Sequence, residues 1–178
     1  MSASRARITG LVYLLYFLTA ILSTTLHGPK VAVYGDVLNV VSIACYVAVT
    51  LLFYAMFKPV DKSLSLLAAL LSLAGCAVQA LSNYHLIPPH VSPLIFFAPF
   101  CILIGYLVIR STFLPRFLGA LMVLAGVGWL AYLVPPIASH LSVYLEALGI
   151  LAEGLLMLWL LIFGVTPRRA TTGSSLKR

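Results

Sequence analysis

Apolar residues run through this chain in six blocks, each close to the length a helix needs to cross a bilayer. A span takes roughly 20 apolar residues at 1.5 Å rise each. The blocks fall near residues 8–27, 36–57, 63–84, 91–109, 117–134 and 141–165. Short polar stretches separate them, so little chain is left for a soluble domain. The pattern predicts an all-α polytopic membrane protein, a bundle of six transmembrane helices. Residues 1–7 read as a cytoplasmic N-terminus and 8–165 as the transmembrane domain. Residues 166–178, rich in Thr, Gly, Ser and basic side chains, read as a disordered tail.

Polar residues inside the blocks are not scattered. At about 100° per residue, Thr9, Tyr13, Tyr16, Thr19, Ser23 and His27 share one arc of the first helix. Asp36, Asn39, Ser42, Tyr46, Thr50 and Tyr54 do the same on the second. Ser65, Ala69, Ser72, Cys76, Gln79 and Asn83 mark the third; Ser142, Glu146, Gly149 and Glu153 mark the sixth. Polar side chains in lipid turn toward partners or a wet cavity. Helices one, two, three and six are therefore expected to share a polar core, with four and five more peripheral. Small and hydroxylated residues also line ordinary helix contacts in membranes, so packing alone accounts for much of the striping. It accounts less well for the acids.

A mean hydropathy of +1.11 with 8% charged residues excludes a soluble class. The charges that remain are sorted. With the N-terminus cytoplasmic, Arg5, Arg7, Lys58, Lys62, Arg110, Arg116, Arg168, Arg169, Lys177 and Arg178 all fall inside, and Lys30 alone falls outside. Cytoplasmic loops carry such an excess, so both termini are expected in the cytoplasm and the protein in the inner membrane of a bacterium. Lys58, Arg110 and Arg116 then act as topology anchors. The basic residues sit at membrane edges, which fits contact with membrane lipids and not with nucleic acid. Arg5 and Arg7 ahead of an apolar run resemble a signal peptide, yet the run is too long and no small-x-small site follows Leu26. Cys45, Cys76 and Cys101 fall within spans and read as small apolar residues.

Two acids lie within the sixth block. Glu146 and Glu153, seven residues apart, stack about 10 Å apart on one face. Glu153 comes near the bilayer midplane, where a charged acid costs roughly 2.5–3.5 kcal/mol, and no Lys or Arg matches its depth. It is expected to be protonated and hydrogen-bonded, to Gln79 or Ser72 for example, or to border water. With Glu146 leading outward, it also has the makings of a proton site. The four histidines, His27, His85, His90 and His140, all fall on the outer side. Interfacial histidines are commonly amphipathic rings at headgroup level. Joined by Asp36, they also offer imidazole and carboxylate ligands for a metal, or axial ligands for haem.

Two turns carry a resemblance. One is Lys58-Pro59-Val60-Asp61-Lys62-Ser63-Leu64 with Leu66-Leu67-Ala68. The other is Gly105-Tyr106-Leu107, Arg110-Ser111, Phe113-Leu114-Pro115-Arg116 and Leu118-Gly119. With the stretch from Glu153 to Gly164, including Trp159, they resemble the bacterial membrane family known as DUF4386, over residues 7–165. The resemblance implies a six-span inner-membrane protein and singles out Lys58, Pro59, Arg110, Pro115, Arg116, Gly119 and Glu153. The family pattern has an arginine near Leu71 and Ser72, where this chain offers only Ser72. No activity comes with the resemblance.

Three readings follow. The first is a bundle that binds a lipid, quinone or other small apolar ligand, or serves as an accessory subunit beside other membrane subunits. Glu153, Glu146, Gln79, Asn83, Tyr13, Tyr16 and Tyr46 are its candidate core, and Tyr54 its further lining. The second is a proton-coupled transporter using Glu146 and Glu153. The third is a haem- or metal-binding redox protein using the outer histidines.

Overall fold

The computed structural model describes residues 3–26, 32–88, 91–133 and 135–165. Every long apolar block becomes a helix. In order they are α1 (Ala3–Thr25), α2 (Ala32–Phe57), α3 (Lys62–Asn83), α4 (Leu94–Arg110), α5 (Arg116–Leu130) and α6 (Pro135–Ile162), with a 3-10 turn at Ala131–Leu133 before the last. No strand occurs among the described residues. Each helix packs on its neighbours in sequence, and α6 returns to α1, closing a ring.

The surface of that ring is what lipid requires. Leu11, Leu15, Leu18 and Ile21 on α1 and Val37, Val40 and Leu51 on α2 turn outward, as do Ile150, Leu151 and Leu158 on α6. Apolar area of this extent faces lipid or a partner, not water. Five helices are long and apolar enough to cross a membrane: Ser4–Thr25, Val33–Phe57, Lys62–Asn83, Arg116–Leu133 and His140–Ile162. This is a helical membrane protein. The fourth helix is shorter, at 17 residues, or about 26 Å. Pro93 caps it and Pro99 lies within it, so it starts three residues later than the apolar block. Proline lacks the N–H an interior position needs and clashes with the preceding turn.

The remaining boundaries have local causes. Asp61 caps α3, its Oδ1 accepting from Leu64 N at 3.0 Å. Its Oδ2 lies 3.5 Å from Arg110 Nη1, which places the α2–α3 and α4–α5 turns at the same end of the bundle. Pro115 precedes the first residue of α5. The first helix begins at Ala3 and takes Arg5 and Arg7 into its opening turns. The basic tail from residue 166 lies outside the described residues.

The expected peripheral placement of helices four and five is corrected. Phe100, Cys101, Ile104, Leu107 and Val108 of α4 are buried, as are Leu118, Met122 and Ala125 of α5. These helices pack backbone to backbone through glycines. A Cβ on Gly105 would stand 2.6 Å from the Gly119 carbonyl oxygen, and one on Gly119 would stand 2.5 Å from that of Gly105. A polar stripe marks where hydrogen bonds are made, not how central a helix is; small and apolar faces bury equally well in lipid.

A candidate ligand cleft between the first four helices

The stripes do face inward. Thr9, Tyr13, Ser42, Tyr46, Thr50, Ser65 and Ser72 are buried. Thr50 Oγ1 and Ser72 Oγ, 2.6 Å apart, tie α2 to α3 at depth. Nearer the end of α3, Gln79 Nε2 donates to Asn83 Oδ1 at 2.9 Å, and Asn83 Nδ2 donates to Asn39 Oδ1 at 2.6 Å.

Glu153 meets neither of its expected partners, since Ser72 is paired with Thr50 and Gln79 with Asn83. Tyr13 Oη instead donates to Glu153 Oε2 at 2.6 Å, and Cys101 Sγ stands 3.9 Å from Oε1. Three helices meet at this carboxyl, α1, α4 and α6. The approach is set by Gly10, where a Cβ would come within 2.5 Å of Leu161 N; that close contact of α1 with α6 lets the Tyr13 ring reach the acid. Among the described residues the one ion pair is Arg110–Asp61, so Glu153 has no basic partner there.

Aromatic rings surround Tyr13. Its centroid lies 5.4 Å from Phe17, 5.7 Å from Phe53, 5.9 Å from Tyr16 and 6.2 Å from Tyr46. Tyr46 in turn contacts Tyr16 at 4.7 Å and Phe97 at 5.3 Å. On the far side of Tyr16 and Tyr46 a cavity of about 200 Å³ opens, walled also by Phe97, Cys76, Gln79 and Ser42. A second cavity of about 530 Å³ lies above it at the end of α3, lined by Asp36, Asn83, Tyr84 and His85. Asn39 and Ile43 line both, so the two cavities adjoin; the wider one is termed the vestibule and the smaller one the inner chamber. Tyr46 is 5% exposed, yet its hydroxyl has no hydrogen-bond partner among the described residues. Among the described residues no buried polar side-chain atom is sealed without a partner, so this hydroxyl opens onto the chamber. The Tyr16 hydroxyl is likewise unpartnered.

The other candidates fall elsewhere. Glu146 is exposed and lies 3.1 Å from Tyr132 Oη. It shares no hydrogen bond with Glu153, and the Trp129 ring covers Gly149 between them. His85 and Asp36 both line the vestibule, His140 is exposed on α6, and His27 and His90 lie outside the described residues. No group of three His, Cys, Asp or Glu side chains converges among the described residues. Lys58 lies over the Tyr54 ring at 5.9 Å, and Arg110 over Tyr106 at 5.7 Å; Arg116 is exposed at the start of α5. Sequence reasoning missed Cys101 and Tyr132 as partners of the acids, for neither sits on a polar stripe. Phe97 was missed because an aromatic in an apolar helix carries no mark of lining a cavity.

Comparison with known proteins places these features in a family without a known activity. The family model described as a domain of unknown function, DUF4386, matches residues 90–164. That stretch holds the Arg110–Gly119 turn and Glu153, whereas the Lys58-Pro59 turn lies before it. An uncharacterised protein of Archaeoglobus fulgidus is 32% identical over 126 residues, which cover 66% of this chain and 76% of the relative. No solved structure matches the chain.

Proposed function

This chain belongs to the DUF4386 family, a domain of unknown function, and from that premise we propose that it is a ligand-binding membrane bundle. In this reading all six helices span the cytoplasmic membrane, α4 with help from its flanking residues, and both termini are cytoplasmic. The charge distribution supports the orientation, because Lys58, Lys62, Arg110 and Arg116 gather at the end where Asp61 meets Arg110. The vestibule then opens outward.

The observation that carries the proposal is the pair of unpartnered tyrosine hydroxyls on the inner chamber. A polar group in a membrane interior normally finds a partner, and a pocket walled by aromatic rings with a few convergent polar groups is the usual form of a small-molecule site. Tyr46 and Tyr16 offer donors, Gln79 an acceptor, and Phe97 an apolar wall. A chamber of about 200 Å³ exceeds the cavity of about 150 Å³ that holds benzene in an engineered protein, so it takes one ring or a group of that size. Glu153 and Tyr13 lie beyond the chamber lining and tie α1 to α6.

Native mass spectrometry of the protein released from mild detergent tests this. The expected result is a small-molecule adduct on the wild-type chain that is lost from Ala20→Phe, which fills the chamber wall, while the variant keeps its thermal stability. Identical adduct patterns in both proteins would remove the chamber as the binding site.

A further inference from the structure

We propose that the cleft selects a small organic cation, a fully alkylated ammonium group. The inference rests on the ligand-site reading above and adds the charge of the ligand. Ammonium groups are drawn to the faces of aromatic rings within about 6 Å of the centroid, and desolvation strengthens the attraction. Tyr16, Tyr46 and Phe97 present three such rings to the chamber, and a methylated ammonium group makes no demand for the hydrogen bonds that a primary amine would require.

Among the described residues, those lining the chamber include no Lys, Arg or His. Asp36 stands in the vestibule wall, and Glu153 lies behind the chamber, one tyrosine ring away, where Tyr13 contacts both Tyr16 and Tyr46. The basic anchors Lys58 and Arg110 sit at the opposite end, already placed over Tyr54 and Tyr106. Among the described residues His85 is the one basic side chain in the vestibule wall. An anion entering this path would pass Asp36 at the mouth and approach Glu153 behind the Tyr13 ring. A neutral ligand would use the tyrosine hydroxyls alone. A cation meets the rings in the chamber and is favoured at longer range by Asp36 in the vestibule wall and by the Glu153 carboxyl behind Tyr13, since charge interactions in a low-dielectric interior act over more than contact distance.

Isothermal titration of the full chain in a maltoside detergent, which carries no ammonium headgroup, distinguishes these cases. The probes are choline and its uncharged carbon isostere, 3,3-dimethyl-1-butanol. The expected result is choline binding at least tenfold tighter than the isostere. Glu153→Gln should weaken choline at least fivefold and leave the isostere unchanged. Asp36→Asn, an exposed site that does not endanger folding, should weaken choline alone by a smaller factor. Equal or tighter binding of the isostere to the wild type would overturn the cation assignment while leaving the cleft as a ligand site. Choline preference unaltered by both substitutions would overturn the role given to the acids. Binding of neither probe would overturn the cation assignment, and if Ala20→Phe also leaves the mass-spectrometric adducts unchanged, the cleft reading falls with it.

Discussion

Replacing Tyr13 by phenylalanine isolates one hydroxyl at the meeting point of three helices. The ring is fully buried and touches Phe17, Phe53, Tyr16 and Tyr46, contacts that phenylalanine keeps. What is lost is the 2.6 Å bond to Glu153 Oε2, leaving Cys101, a weak sulfur donor at 3.9 Å, as the remaining partner. An unpaired buried acceptor costs about 1–3 kcal/mol, whereas interhelical hydrogen bonds in membranes average about 0.6 and reach about 1.7 kcal/mol. The bond is short and involves an acid, so a loss of about 1–2 kcal/mol is expected, near the upper membrane value. Reversible unfolding in mixed dodecyl sulfate and maltoside micelles, followed by the fluorescence of Trp129 and Trp159, measures it. In a Glu153→Leu background the same Tyr13→Phe change should cost nothing measurable. A Tyr13→Phe protein as stable as wild type, or equal costs in the two backgrounds, would refute the bond as the tie between α1 and α6.

Gly105→Ala should destabilise by about 1–3 kcal/mol, as overpacking does, because its Cβ meets the Gly119 carbonyl. Gly154→Ala has nothing within 4 Å and should be neutral or stabilising by up to about 1 kcal/mol; the same micelle assay compares the two. Asp61→Ala should cost about 1 kcal/mol through its cap, with little added by the exposed bridge to Arg110. A double cycle with Arg110→Ala, giving a coupling below about 1 kcal/mol, checks that division. His85 holds a left-handed backbone, φ 55°, at the end of α3, where Leu86 N bonds Leu81 O and His85 N bonds Ser82 O. Glycine suits that position best, so His85→Gly should raise stability by roughly 0.5–1 kcal/mol in a thermal melt.

Much of this arrangement is legible in the sequence because lipid makes two demands at once. Apolar runs of spanning length must be helical, which places all six helices to within a few residues at most ends. Polar side chains must turn inward, which identifies Tyr13, Tyr46, Ser72 and Asn83 as interior or cleft-lining positions. The partners are a different matter. Glu153 does meet another stripe, at Tyr13 of α1, but not the α3 stripe from which its partners were expected, and its second neighbour is a cysteine on apolar α4. Helical periodicity gives the face of each helix and not its height against the next one. Those heights are set by the close contacts of Gly10 with Leu161 and Gly105 with Gly119, which sequence pattern alone does not pair. The central placement of α4 was hidden for the same reason, since a helix rich in Phe, Leu and Ile reads alike whether lipid or protein covers it. Glu146 and Glu153 share a face, but the reach of Trp129 across Gly149, which separates them, depends on how α5 packs.

A cleft open to the outer side and leading to Tyr16 and Tyr46 should admit a small water-soluble reagent. Cys76 is a native reporter on the chamber wall. Intact cells should be treated with a small, membrane-impermeant cationic methanethiosulfonate, and the modified residue located by peptide mapping. Modification of Cys76 is expected, with Cys101 unmodified, and its loss in Ala20→Phe. A Cys76 that reacts only after the protein is denatured, or only when the reagent reaches the cytoplasmic face, would contradict it.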